Sequence, residues 1–187
     1  MDKKLSFIHL SDLHISTKDK FDRATVIDAL WKDIKKYRDA GINPDFIAFS
    51  GDITHGGLTE EYDLASTEFF DPLLEVTALT KDRLFIVPGN HDCNWSITTK
   101  LKDPLPNIST EKDIQELLED VDARATYLLP LANYNHWKES YLGSFQSITP
   151  SHFSESYTVK NGNLVVRVIG LNSELPHEKV VLFRIGF

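Results

Sequence analysis

The stretch LFIVPGNHD, at residues 84–92, leads from a short apolar run straight into a polar turn. The apolar part, residues 84–87, predicts a buried β-strand. Directly after it come Asn90, His91 and Asp92, which offer an amide, an imidazole and a carboxylate. Oxygen ligands beside an imidazole suit divalent cations, so this turn is a candidate metal site.

Two earlier apolar runs end in the same way. The run at residues 5–10 precedes Asp12 and His14, and the run at residues 46–49 precedes Asp52. Between these predicted strands, the apolar residues recur at spacings of three and four, which indicates amphipathic helices. The order strand, helix, strand, helix, strand is a βαβαβ unit. It predicts an α/β fold with parallel strands and right-handed crossovers.

The two predicted helices have different end signals. The first spans residues 21–40 and stops at Gly41. The second begins at Thr59, a predicted N-terminal cap, and contains Pro72, which predicts a kink or break. Their apolar stripes consist of Ile27, Leu30, Trp31, Ile34 and Tyr37 in the first helix, and Tyr62, Ala65, Phe69, Leu73 and Leu74 in the second.

The second half of the chain is less regular. Residues 94–110 predict a long loop, and residues 111–142 predict a helix in two pieces, interrupted near Pro130. Runs rich in β-forming residues on either side of Asn161-Gly162 predict a hairpin that reaches residue 171.

The composition is that of one globular domain, residues 1–187, with 41% hydrophobic and 26% charged residues. The net charge of −8 argues mildly against broad electrostatic binding to nucleic acid or anionic membranes. The single cysteine, Cys93, excludes an internal disulfide and fits a reducing compartment. No apolar stretch approaches the roughly 18 residues of a membrane span, and the first run is too short for a signal peptide. We therefore expect a cytoplasmic protein without a membrane span.

Polar residues at the carboxyl ends of parallel strands gather at one edge of the sheet. Asp12 and His14 are two residues apart, so in extended backbone both side chains point the same way. Asp52 has two oxygens and can bridge two ions, and Asn90 adds a ligand without charge. Each motif alone is compatible with a solvated turn. Together they predict two divalent cations, about 3.5–4 Å apart, that clamp a phosphoryl group and activate water.

These residues resemble the calcineurin-like metallophosphoesterases, whose successive blocks are Asp-x-His, Gly-Asp and Gly-Asn-His-Asp/Glu. The resemblance covers roughly residues 5–173 and implies their α/β sandwich. It implies that Asp12 and His14 bind one metal, that Asp52 bridges, and that Asn90 binds the second metal. The metals implied are manganese, iron or zinc.

The resemblance also implies two catalytic roles. His91 is similar to the imidazole that contacts the substrate phosphate or protonates the leaving oxygen. Asp92 is then expected to orient that imidazole through a hydrogen bond.

The chain departs from the family pattern after Ser173. The later Gly-His-x-His block is absent, and His177 is the only imidazole in the last fourteen residues. We therefore expect a domain that is incomplete at its C-terminus. The second half of the sandwich is expected to be missing, with open edges and one uncovered sheet face.

The predicted metal site and the missing later block are compatible with two functions. The first is a phosphoesterase that hydrolyses phosphomonoesters or phosphodiesters, with nucleotides or nucleic acid among the possible substrates. The alternative is a metal-binding interaction module of weak or no activity, completed by a protein partner or a further domain.

Three further residues are open to more than one interpretation. His55 stands where purple acid phosphatases, a branch of the same superfamily, place an iron-binding tyrosine. It is expected in a loop turn, with a pocket-lining role as the alternative. His9 is expected in or near the core, and Cys93 is expected to pack there.

Overall fold

A parallel sheet with the strand order β1-β2-β3 lies at the centre of the protein. The computed structural model describes residues 4–18, 21–100, 110–143, 153–172 and 183–186. The strands are β1 (Phe7–Leu10), β2 (Phe46–Ser50) and β3 (Leu84–Val87). Both pairings are parallel, β1 with β2 and β2 with β3, which confirms the predicted α/β arrangement.

The strands differ in burial. All of β3 and nearly all of β2 are buried, whereas β1 alternates between exposed and half-buried residues. Phe7 remains 42% exposed. The prediction that His9 belongs to the core is wrong, because its exposed ring contacts the Ser50 hydroxyl across the sheet at 2.7 Å.

Helices follow the first two strands. They are α1 (Phe21–Asp39), α2 (Thr59–Ala65), a π-helical segment (Ser66–Phe70) and α3 (Asp71–Thr77). Gly41 adopts a φ of 81°, as expected for a residue that ends a helix. The predicted stripes face the core except at Tyr37, which is 53% exposed.

The start of α2 differs from the prediction. Thr59 is the first helical residue and Leu58 is the cap, so Thr59 does not cap the helix. The Glu61 carboxylate does so instead, since it accepts hydrogen bonds from the backbone N–H groups of Gly56 (2.9 Å) and Leu58 (3.4 Å). Glu61 thereby pairs the N–H of the cap residue and also holds the loop before the helix.

Pro72 is accommodated without a break. Proline has no N–H to donate to the preceding turn. The helical path widens into the π-helical segment Ser66–Phe70 immediately before it and then resumes as α3.

The region after β3 contains more helix than the sequence indicates. The elements are two 3₁₀ turns (Asn90–Asp92 and Leu129–Leu131), α4 (Trp95–Thr98), α5 (Glu111–Glu119), α6 (Val121–Tyr127) and α7 (Ala132–Leu142). The predicted long loop therefore begins with a short helix. The predicted two-piece helix is also broken at Asp120, whose carboxylate accepts hydrogen bonds from the first turn of α6.

An aromatic cluster packs α7 against α2 and the π-helical segment. The Trp137 ring stacks on Tyr62 with centroids 5.0 Å apart and lies 5.7 Å from Phe70. Its indole N–H donates to the Ser66 hydroxyl at 2.8 Å. This packing holds α2, which directly follows the loop after β2, against α7.

A second, antiparallel sheet covers the other face of the first. It comprises β4 (Ser154–Asn161), β5 (Leu164–Leu171) and β6 (Phe183–Gly186). The hairpin is confirmed, but its two-residue turn is Gly162-Asn163 and not Asn161-Gly162, because Asn161 pairs with Leu164. A buried cluster joins the sheets, formed by Phe46, Ala48 and Phe85 from the first and Tyr157, Val159, Val166 and Val168 from the second. The expectation of an uncovered face is therefore wrong for β2 and β3, whereas Phe7 and His9 of β1 stay exposed.

The approach of the two sheets predicts a stability effect at Gly170. A Cβ atom there would lie 2.5 Å from Val87 Cγ1, and both residues are buried. We expect Gly170→Ala to lower the free energy of unfolding by about 1–3 kcal/mol, measured by urea denaturation. In a chain that already carries Val87→Ala, the same change should cost much less. Additive effects in this double-mutant cycle would contradict the described docking of the sheets.

Candidate metal centre

The loops after the first two strands are joined by their backbones. The Asp12 N–H donates to the Gly51 carbonyl at 3.1 Å, and the His14 N–H donates to the Asp52 carbonyl at 2.9 Å. The N–H group of the next residue, Ile15, donates to the Ile53 carbonyl at 2.9 Å. The sheet thus continues as a narrow ladder that brings the two motifs side by side.

The backbone at these motifs is not extended. Asp12, His14 and Asp52 have φ values of 59°, 46° and 57°, in the left-handed region. The argument that an extended backbone aligns Asp12 with His14 is therefore wrong, although the two side chains do converge. Such conformations cost about 1–2 kcal/mol per residue. Their occurrence at all three residues marks this edge as a candidate functional site.

Asp12, His14 and Asp52 form one candidate ligand group. The Nε2 atom of His14 lies 3.7 Å from Asp12 Oδ1 and 3.8 Å from Asp52 Oδ2. One potential ligand atom from each residue lies within 4.8 Å of the others. Ligands about 2.1 Å from an octahedral ion lie about 3.0 Å apart in cis and 4.2 Å apart in trans. The observed separations lie between these two values or slightly above them, so small side-chain shifts bring the three residues to the spacing that a divalent cation requires.

Asp52 also contacts the third motif. Its Oδ1 atom accepts a hydrogen bond from the His91 N–H at 2.9 Å, while Oδ2 faces His14. A Cβ atom at Gly89 would lie 2.3 Å from Asp52 Oδ1, so the Asp52 carboxylate occupies space that only glycine leaves open. Asp52 thus stands between the first ligand group and the Asn90–Asp92 turn.

The Asp92 carboxylate is fully buried and serves the backbone. It accepts hydrogen bonds from the N–H groups of Ile53, Thr54 and Gly89, at 2.9–3.2 Å. The hydroxyls of Thr54 and Tyr62 donate to it as well. Burial raises the pKa of Asp92 to about 6, and the backbone hydrogen bonds act in the opposite direction. The carboxylate is therefore mostly ionised at neutral pH.

The imidazole of His91 has a different partner from the predicted one. Its Nδ1 atom lies 2.9 Å from the carbonyl oxygen of His55. The expected hydrogen bond between Asp92 and the imidazole is therefore wrong, because all the Asp92 contacts go to the strand-end loops and α2. The ring of His91 packs edge-on against His14, with centroids 4.5 Å apart.

His55 lies closer to the site than the sequence indicates. Its ring centroid is 5.6 Å from that of His91. Potential ligand atoms of His14, His55 and His91 lie within 4.8 Å of one another. The expectation of a simple loop turn missed this position, because His55 is held by a hydrogen bond to Ile15, which lies forty residues earlier in the chain.

The remaining candidates lie in various places. Asn90 is half-buried in the same 3₁₀ turn as His91, and its role as a ligand stays a prediction. Cys93 is buried in the core, as expected. His177 lies outside the described residues. Arg23 lines a cavity of about 510 Å³ together with Asp12 and His14.

An α/β sheet with convergent metal-type ligands at its strand ends defines a candidate metal centre. A family model described as calcineurin-like phosphoesterase matches residues 5–183, and the chain belongs to this family. The resemblance seen in the sequence is thereby confirmed.

Three curated relatives are similar to the chain. The uncharacterised metallophosphoesterase-like protein YydB of Bacillus subtilis is 28% identical over 86% of this chain and 33% of its own length. The probable glycerophosphodiester phosphodiesterase GpdQ of Arcobacter nitrofigilis is 32% identical over 46% of this chain and 29% of its own length. The uncharacterised protein R555 of Acanthamoeba polyphaga mimivirus is 31% identical over 50% of this chain and 7% of its own length. The matched region spans a third or less of each relative.

Among the described residues, no helix is both long and apolar enough to cross a bilayer.

The close contact at Gly89 predicts a local effect on the metal centre. In Gly89→Ala, the added methyl group would overlap Asp52 Oδ1 (2.3 Å) and its backbone nitrogen (2.4 Å). We expect Mn²⁺ affinity, measured by calorimetry, to fall roughly tenfold or more because Asp52 must move. Gly56→Ala is the matched control, since its Cβ would meet only Glu61 Oε2 at 3.8 Å. Equal affinities in the two variants would contradict this description.

The buried contacts of Asp92 predict a structural role. In Asp92→Asn, the amide NH₂ would face N–H and O–H donors, which leaves some of them unpaired. We expect a loss of roughly 2–3 kcal/mol in the free energy of unfolding at pH 7, measured by chemical denaturation. Tyr62→Phe removes one donor and keeps the acceptor, so its loss should be about 1 kcal/mol. An Asp92→Asn protein of unchanged stability would contradict this role.

Proposed function

We propose that this protein hydrolyses phosphoester bonds at a dinuclear metal site, with phosphodiesters as the preferred class. The observation that carries the proposal is the position of Asp52. One of its oxygens faces His14, and the other bonds to the turn that contains Asn90. A carboxylate in this position can serve two ions at once.

The proposed ligand sets follow from this arrangement. Asp12, His14 and Asp52 hold one ion, and Asp52 and Asn90 contribute to the second. Manganese, iron or zinc is the proposed metal, because imidazole, amide and carboxylate together suit these ions. When bound, such ions polarise phosphoryl oxygens and lower the pKa of water.

His91 is proposed to act on the substrate directly. Its Nδ1 atom is held by the His55 carbonyl oxygen, so Nε2 is left to contact the phosphate or to give a proton to the departing oxygen. Asp92 supports this position only through the backbone, because it fixes Gly89 and the loop after β2.

Three points support the choice of substrate class. One relative carries the name of a probable glycerophosphodiester phosphodiesterase and is 32% identical to this chain over 87 residues. The net charge of −8 disfavours a dedicated duplex nuclease, although nucleotides remain among the proposed substrates. The cavity beside Asp12 and His14 offers space for an alcohol group.

The proposal includes the source of further ligands. The ions need more ligands than these residues supply, and a further domain or a protein partner is proposed to complete the site. We also propose a cytoplasmic setting, supported by the single buried cysteine. The alternative function is the metal-binding interaction module, which binds ions without turnover.

Hydrolysis of bis(p-nitrophenyl) phosphate in the presence of Mn²⁺ tests the proposal. We expect turnover that EDTA abolishes. His91→Ala should lower the rate roughly 10²–10⁴-fold, and Asp52→Asn should lower it by at least roughly 10–100-fold. His136→Ala is the control, because His136 is an exposed imidazole on α7. Metal binding without turnover would support the interaction module, and full activity in Asp52→Asn would overturn the proposed site.

A further inference from the structure

Three imidazoles converge beside the oxygen-rich ligand group. Candidate ligand nitrogens of His14, His55 and His91 lie within 4.8 Å of one another. We infer that these three side chains form a second, nitrogen-rich site that binds a transition-metal ion such as Zn²⁺. It shares His14 with the Asp12, His14 and Asp52 group.

The contact between His55 and His91 prepares one ligand of this site. The Nδ1 atom of His91 bonds to the His55 carbonyl oxygen, which can only accept, so Nδ1 carries the proton. The Nε2 atom then has a free lone pair. Histidines that bind metals almost always donate their other ring N–H to a carbonyl or carboxylate in this way.

The position of His55 is set by its backbone, whereas its ring can move. Its N–H donates to the Ile15 carbonyl at 3.0 Å, which anchors the residue to the ladder between the first two loops. The side chain itself is exposed, whereas His14 and His91 are half-buried. His55 is therefore the ligand that can adjust.

The distances require only a small adjustment. Two nitrogens about 2.0–2.1 Å from a tetrahedral ion lie about 3.4 Å apart. The candidate nitrogens lie within 4.8 Å of one another, so no separation has to shorten by more than about 1.4 Å. The exposed side chain of His55 is the one of the three with most room to rotate toward such an ion.

The two ligand groups differ in chemistry. Three imidazoles favour zinc or copper, whereas two carboxylates and one imidazole suit manganese. Because His91 belongs to the nitrogen-rich site, an ion there withdraws this imidazole from substrate. This consequence rests on the proposed function, and it makes excess Zn²⁺ an inhibitor of Mn²⁺-supported hydrolysis.

Metal affinities of matched variants test the site without any need for turnover. Dissociation constants for Zn²⁺ and Mn²⁺ are measured by competition with a chromophoric chelator. We expect His55→Ala to weaken Zn²⁺ binding roughly tenfold or more and to leave Mn²⁺ binding within about threefold. Because zinc is also among the metals proposed for the Asp12, His14 and Asp52 group, the Zn²⁺ constant compared is that of the first ion bound. Asp12→Asn should weaken Mn²⁺ binding more than this Zn²⁺ binding, and His136→Ala should change neither.

X-ray absorption at the zinc edge provides an independent readout. The wild-type protein should show three imidazoles around Zn²⁺, and His55→Ala should show two. Equal Zn²⁺ affinity in His55→Ala and His136→Ala, or a parallel loss of Zn²⁺ and Mn²⁺ binding, would overturn the inference.

The activity assay separates this inference from the proposed function. If hydrolysis occurs, excess Zn²⁺ should inhibit wild type more strongly than His55→Ala, and equal inhibition would count against the site. If no hydrolysis is found, the proposed function fails, while the affinity and absorption measurements still decide the inference.

Discussion

The buried carboxylate of Asp92 is the contact on which the rest of the site depends. It accepts hydrogen bonds from backbone groups after β2, from Gly89 after β3 and from the Tyr62 hydroxyl on α2. A single ionised group thereby joins two strand ends and a helix. Its desolvation is unfavourable and is offset by charge-assisted hydrogen bonds. Asp52 and His91 both lie on the loops that this contact connects, so it supports the position of each.

Much of the framework could be predicted from local sequence. Apolar runs that end in polar motifs identify β2 and β3 because these strands are buried on both faces. The spacing of Trp31 and Ile34 identifies α1 because one face of that helix packs on the core. These signals are local, and the family motifs place Asp12, His14 and Asp52 at one sheet edge for the same reason.

The misassigned features depend on partners far away in the chain. Asp92 contacts Ile53 and Thr54, which lie nearly forty residues earlier, so its sequence neighbour His91 was a misleading choice of partner. His55 reaches the site through a ladder between two loops. The second sheet covers β2 and β3 through contacts between residues that are far apart in the chain, such as the Phe85–Tyr157 ring stack and the Asn161–Asp45 hydrogen bond. The ligand role of Asn90 and the bridging role of Asp52 remain predictions.

The close contact between Gly51 and Gly89 has a consequence for how this site can evolve. A Cβ atom at Gly51 would lie 2.8 Å from the Gly89 Cα atom, so the loops after β2 and β3 touch through their main chains. The separation between the Asp52 carboxylate and the Asn90 turn is then a property of the backbone, independent of which side chains serve as ligands. Substitutions among the proposed ligands can change which ions bind, while the spacing between the two loops stays the same. The contact between Gly51 and Gly89 therefore fixes the distance between the two loops, and metal preference can change during evolution while this distance is kept.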